Sequence, residues 1–158
     1  MTVERLQEYG LTEMDGDAIR GFLASEGMGV LGLPTEEVPY LLPMSYEFDG
    51  ESTLYFTFIG GPESRKRQLI ESADRAGFLV YDAKTAFSWE SVMVTGGVEK
   101  VPCGEWERFA AATESPWRPE VFENAMESEA VTVYRLHGEE WTGYRHTGLP
   151  PGFADDGE

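Results

Sequence analysis

The sequence predicts a mainly β domain, six to seven largely antiparallel strands closed into a small barrel with helices at its periphery. Three observations carry this. Apolar runs of strand length recur from Met28 to Arg145, most of them bounded by Gly, Pro or Asp. Only one short amphipathic stretch, Arg65 to about Arg75, falls among the central strands, whereas a parallel sheet needs a crossover helix between strands. No G-x-G-x-x-G or P-loop pattern is present, so a nucleotide-binding doubly wound sheet has no anchor.

Taken in order, Thr12 or Asp15 can cap a first helix with Ile19, Phe22 and Leu23 on one face and Gly27 as its terminator. Met28 to Leu33 is a short apolar strand. Val38 to Phe48 is a longer one, and Asp49-Gly50 followed by Thr53 to Ile59 is a hairpin signal. After a Gly60-Gly61-Pro62 turn and the basic helix, Ala76 to Tyr81 and Ser91 to Val101 read as strands, the Gly96-Gly97 pair marking a bend or bulge. Helices are expected over about 104–113 and 118–127. Ala130 to His137 and Glu140 to Arg145 look like a second hairpin. Residues 1–147 form one domain on this reading, and 148–158, rich in Gly, Pro and Asp, form a loose acidic tail.

The chain carries 29 Asp plus Glu against 12 Lys plus Arg, a formal net charge of -17. The carboxylates are dispersed in blocks no longer than two, and Lys is scarce, three against nine Arg. That pattern points to a protein adapted to a salt-rich cytoplasm, where screening relieves self-repulsion. It speaks against nucleic acid or an anionic membrane as partner, since both need a broad cationic face. No apolar run reaches the ~18–20 residues of a membrane span, and the N-terminus lacks signal-peptide character, so a cytoplasmic location is expected. The single Cys103 excludes an internal disulfide, and the two histidines, His137 and His146, have no second ligand at metal spacing.

Against this acidity, Ser64-Arg65-Lys66-Arg67 stands out. The 44 positions from Gly21 to Ser64 contain no Lys or Arg but seven carboxylates. Cations in a first helical turn oppose the helix dipole, unless an anion sits on the free N–H groups there. Three cations suit a single phosphate group better than a polymer; a solvated basic patch is the bland alternative.

Around that tetrad the sequence resembles a known family. Leu54-Tyr55-Phe56-Thr57, a loop, Ser64-Arg65-Lys66, a short helix, Phe78-Leu79-Val80-Tyr81 and Ser91-Val92-Met93-Val94-Thr95-Gly96-Gly97-Val98-Glu99-Lys100-Val101 are similar to the pyridoxamine 5'-phosphate oxidase-related, FMN-binding split-barrel family over roughly residues 28 to 101. The resemblance implies a split β-barrel and an FMN cofactor. It places Phe56, Thr57, Ser64, Arg65 and Lys66 around the phosphate, with Arg67 outside the motif as a surface charge. Pro43, Met44, Ser45 and Tyr46 would border the flavin ring, Trp89 would cover its edge and Ser91 would face it. The loop between Phe56-Thr57 and Ser64 is longer than in relatives, and Val38-Pro39-Tyr40 stands where the vitamin-processing oxidases carry a phosphate-binding Arg. Their Trp, Arg and His substrate motif has only a compressed echo in Trp141, Arg145 and His146, which argues against pyridoxamine phosphate as substrate.

By the same resemblance the chain is expected to be a homodimer with flavin at the subunit interface. It would be an oxidoreductase acting on an unidentified small-molecule substrate or electron donor, with no metal and no catalytic side chain identifiable. The alternative is a non-catalytic protein that binds or senses flavin, haem or the deazaflavin F420, a haem role leaning on His137 or His146.

Overall fold

The computed structural model describes residues 10–105 and 131–148. In chain order these form β1 (Leu11–Glu13), α1 (Gly16–Ser25), β2 (Met28–Leu33), β3 (Tyr40–Ser45), β4 (Glu47–Phe48), β5 (Thr53–Ile59), α2 (Arg65–Ser72), β6 (Arg75–Thr85), β7 (Ser88–Lys100), a 3-10 turn (Cys103–Glu105) and β8 (Val131–Thr147). The eight strands make one sheet in the order β3-β2-β6-β7-β8-β5-β4, with β1 added to β8, and every pairing is antiparallel. The predicted helices over 104–113 and 118–127 lie almost wholly outside the described residues, as does most of the tail.

Alternation builds the core. Leu31 and Leu33 on β2, Leu54, Phe56 and Phe58 on β5, Phe78 and Val80 on β6, Val92 and Val94 on β7, and Tyr134 and Leu136 on β8 share one face and are almost fully buried. The two helices add Ile19, Phe22, Leu23 and Ile70 to it. Burial of each such aliphatic or aromatic side chain contributes about 1.5–3 kcal/mol.

Local chemistry explains the boundaries. Asp15, not Thr12, caps α1: its carboxylate accepts from Ala18 N at 2.8 Å, while Thr12 lies in β1. The helix stops at Ser25, and Gly27 follows without a positive φ. In the β4–β5 turn Gly50 sits at φ 87 and Asp49 Oδ1 accepts from the backbone N–H groups of Glu51, Ser52 and Thr53 at 2.8 to 3.1 Å.

Three expectations are corrected. The strand expected over Val38 to Phe48 starts at Tyr40 and breaks at Tyr46, whose hydroxyl turns inward to donate to Leu23 O at 2.6 Å. Helix α2 ends at Ser72, and Arg75 already opens β6. The second hairpin is a single 17-residue strand, β8. Its register against β7 moves from Thr95↔Glu140 to Gly96↔Gly138, so Glu139 is an extra, bulged residue, and the chain continues instead of reversing. The glycines at 96 and 97 mark this bulge, as expected. Gly96 cannot be otherwise: a Cβ there would collide with the His137 carbonyl.

Candidate functional site

The predicted phosphate turn forms a compact local unit. Ser64 has extended backbone and caps α2, its hydroxyl accepting from Arg67 N at 3.2 Å. The turn before it closes through Ser64 N donating to Gly61 O at 3.1 Å, and Gly60 adopts φ 140, a conformation that favours glycine. Lys66 folds back over this turn, its Cε lying within van der Waals reach of where a Gly60 side chain would start. Arg65 is exposed, with its guanidinium 5.3 Å from the centre of the Tyr40 ring. Neither cation pairs with a carboxylate among the described residues. A first helical turn, a hydroxyl and two cations without a carboxylate partner among the described residues are thus supplied by three consecutive residues, a grouping that suits a phosphate group.

Arg67 is not a surface charge. It is 8% exposed and directed inward, where Nε meets Glu71 at 3.2 Å, while the Tyr134 hydroxyl donates to the same carboxylate at 2.9 Å. Burial lowers the Arg67 pKa, but hydrogen bonds to Glu71 and Tyr134 outweigh it and the net shift is upward. The Tyr134 hydroxyl is pushed up to about 12, first by burial and then by its bond to Glu71. The third cation of the tetrad is thus a structural strut joining α2 to β8.

The remaining phosphate and ring candidates divide. Met44, Tyr46 and Phe56 are buried core residues: Phe56 packs on Phe78 with ring centres 4.8 Å apart, and Tyr46 meets the edge of the same ring at 5.3 Å. Burial is the leading cause that raises the Tyr46 hydroxyl's pKa. Their side chains are committed to the fold, leaving only backbone for a ligand. Phe58, on the same face, is likewise core. Thr57, by contrast, lies on the other face of β5, half-buried opposite Val133, which belongs to a second small apolar cluster with Val101. Pro43 and Ser45 are on the outward, exposed face of β3, opposite Val30 and Met28. Ser91 points outward from β7 between Tyr81 and Tyr144, and Trp89, on the same face, lies between Ala83 and His146. With β2 and β6 intervening, β3 and β7 are three strand spacings apart, about 14 Å along the sheet. One protomer does not gather these residues into a single patch.

The face between them was not singled out from sequence. Met28, Leu41, Tyr81, Met93 and Tyr144 are exposed apolar side chains on it, 37% to 66% accessible, and the cross-strand pair Gly32 and Gly77 leaves bare backbone beneath Leu41 and Met93. Each reads as an ordinary strand residue; only the register aligns them.

The echo of the substrate motif is split between faces. Trp141 and Arg145 turn to the inner side, Trp141 against Phe48 and Arg145 with Glu90 at 3.0 Å. His146 turns outward and stacks on Trp89, with ring centres 5.9 Å apart at 27°. Its Nδ1 lies 2.7 Å from Phe87 O, and a carbonyl only accepts, so Nδ1 carries a proton and donates it there. His137 instead meets Glu99 at 2.9 Å; hydrogen bonds from His137 and then Arg135 hold the Glu99 carboxyl below the usual range. Among the described residues no cluster of three His, Cys, Asp or Glu could hold a metal ion, and no helix is long and apolar enough to cross a membrane.

A curled antiparallel sheet with two helices and a cationic helix start beside its edge strand is the architecture of the split β-barrel proteins. Residues 15–145 match the pyridoxamine 5'-phosphate oxidase family, and the chain belongs to it. Solved structures agree on the fold. A protein from Mesorhizobium loti described as FAD-binding superposes with a TM-score of 0.68 at 19% identity, covering 87% of this chain and 98% of its own. A putative 5-nitroimidazole antibiotic resistance protein from Bacteroides thetaiotaomicron gives 0.65 at 20%, covering 85% and 88%. The FAD and heme binding protein from Mycobacterium smegmatis gives 0.67 at 16%, covering 89% and 75%. No curated protein matches the chain.

Proposed function

We propose that this chain is an FMN-binding flavoprotein, active as a homodimer with the flavin at the subunit interface, and an oxidoreductase acting on a small molecule. The observation that carries the reading is the Ser64-capped start of α2, where Arg65 and Lys66 stand without a carboxylate partner among the described residues of a chain with 29 of them. One hydroxyl, two cations and free helix N–H groups fit one terminal phosphate, which favours FMN over the FAD that the Mesorhizobium loti structure is described as binding. The ring-facing residues support the dimer. Pro43 and Ser45 lie far from Ser91 and Trp89 within a protomer, and the apolar face between them suits a second copy that would bring one set opposite the other.

Once bound, the flavin supplies the hydride and electron transfer. Ser64, Arg65, Lys66 and Thr57 would hold its phosphate, Pro43 and Ser45 would border the ring, and the Ser91 hydroxyl would orient it by a hydrogen bond. Met28, Leu41 and Met93 would exclude water from the interface. The halophilic character inferred from composition belongs to this same reading.

A second reading, haem binding, is favoured by one observation: the hydrogen bond from His146 Nδ1 to Phe87 O would leave Nε2, beside Trp89, as the atom that could ligate a haem iron. Absorbance and mass of whatever co-purifies in high salt decide between them. FMN is expected, together with reduction by NADH or NADPH. Arg65→Ala with Lys66→Ala should weaken FMN binding a hundredfold or more, from about 1.5–3 kcal/mol per charge-assisted contact. A colourless protein that does not take up added FMN overturns the reading; a haem spectrum lost in His146→Ala replaces it with the second.

A further inference from the structure

The strand that opens with a phosphate-binding Arg in the vitamin-processing oxidases opens here with Tyr40, and Tyr40 lies directly beneath Arg65. Tyr40 is well anchored: it is half-buried, packs against the core and pairs in register with the fully buried Leu33. Arg65, by contrast, is exposed and has no carboxylate among the described residues to fix it. A free Arg side chain samples many rotamers, and ordering it on a ligand costs conformational entropy. A guanidinium resting on an aromatic face has made that choice beforehand, while its in-plane N–H groups stay available for an anion. Nearby Lys66 is confined in another way, by its passage over the Gly60 turn.

We propose that Tyr40 is a positioning residue, its ring the platform that holds Arg65 toward the phosphate of the bound flavin, so that it sets the preference for phosphorylated over unphosphorylated flavin. This rests on the flavin reading above. The chain would replace a second strand-borne cation with an aromatic that makes the remaining guanidinium rigid.

The test measures dissociation constants for FMN and riboflavin in the wild type, Tyr40→Phe and Tyr40→Leu, together with the Arg65 Nε–H signal of the ligand-free proteins by NMR. Tyr40→Phe, which keeps the ring, should bind FMN within twofold of wild type. Tyr40→Leu should lose about three- to tenfold for FMN and less than twofold for riboflavin, in keeping with a cation–aromatic contact. The Arg65 Nε–H should be ordered and shifted by the ring current in the wild type and in Tyr40→Phe, and mobile and unshifted in Tyr40→Leu. Equal losses for both flavins, or unchanged FMN affinity in Tyr40→Leu, overturn the platform. A wild type that binds neither flavin overturns the flavin reading instead; the platform then stands or falls on the NMR signal, and an Arg65 Nε–H insensitive to Tyr40→Leu overturns it.

Discussion

Arg65 and Arg67 are two positions apart on one short helix, and their environments are opposite. Two residues turn a helix by about 200°, so Arg65 faces solvent above Tyr40 while Arg67 enters the barrel between Glu71 and Tyr134. The sequence showed the cluster and the family motif but could not show this division, because the partner that defines Arg67, Tyr134, comes from a distant strand. The division has a consequence for acid stability. The hydrogen bond from Tyr134 and then the Arg67 pair hold the Glu71 carboxyl below its ordinary range. A carboxyl with a lowered folded pKa contributes its full stabilisation above its unfolded pKa, and that contribution is lost as pH falls through the folded value. Urea midpoints of the wild type should therefore fall more steeply than those of Glu71→Gln between about pH 5 and about pH 3. Parallel slopes would show that the strut does not couple to folding. At the alkaline end the sign reverses: Tyr134, raised to about 12, contributes below its ordinary value and loses that contribution as pH rises toward 12.

At the level of elements, the strands were legible wherever alternation ran unbroken, as in Thr53 to Ile59, which the structure reproduces residue for residue. They were misread where alternation changed phase. On β8 the inward positions are Tyr134 and Leu136, then Trp141 and Gly143, a switch from even to odd numbers across Gly138 and Glu139. A phase change at a glycine has two physical explanations, a reversal or a bulge, and a local pattern cannot separate them. What separates them is β7, which pairs with both halves of β8, and Arg75, whose guanidinium binds the bulged Glu139. The candidate site was legible to a similar degree: contiguous motifs such as Ser64-Arg65-Lys66 stayed together, whereas Met44 and Phe56 turned inward because strand phase assigns them to the core. The two adjacent glycines of β7 make the bulge testable. Gly96→Ala forces a methyl into the His137 carbonyl and should destabilise by ~3 kcal/mol or more; Gly97→Ala makes only ordinary contacts, with Asp74 O at 3.7 Å and Glu139 Oε1 at 3.9 Å, and should stay within ~1 kcal/mol of wild type. Equal effects in thermal unfolding would remove the bulge as the reason for the pair.

For the whole molecule, charge and apolar surface act in opposition. A net charge of -17 makes two copies repel, while Met28, Leu41, Tyr81, Met93 and Tyr144 expose an apolar face that association would cover. Salt changes the balance in one direction. The Debye length shrinks from about 10 Å at 0.1 M to about 3 Å at 1 M, which weakens the repulsion between dispersed surface carboxylates and leaves the burial of apolar side chains intact. The same screening reduces repulsion within each folded chain, so folding and pairing should strengthen together as salt rises. Sedimentation velocity in 0.2 M and 2 M KCl should then show the dimer fraction increasing with salt, and the melting temperature should climb over the same range. Met93→Asp places a charge at the centre of the face and should keep the protein monomeric at both concentrations, while its far-ultraviolet circular dichroism stays that of the wild type. A melting temperature indifferent to KCl would contradict the salt-adapted reading of the composition. A Met93→Asp protein that still dimerises would instead move the interface away from this sheet, and with it the means of bringing Ser91 and Trp89 of one copy opposite Pro43 and Ser45 of the other.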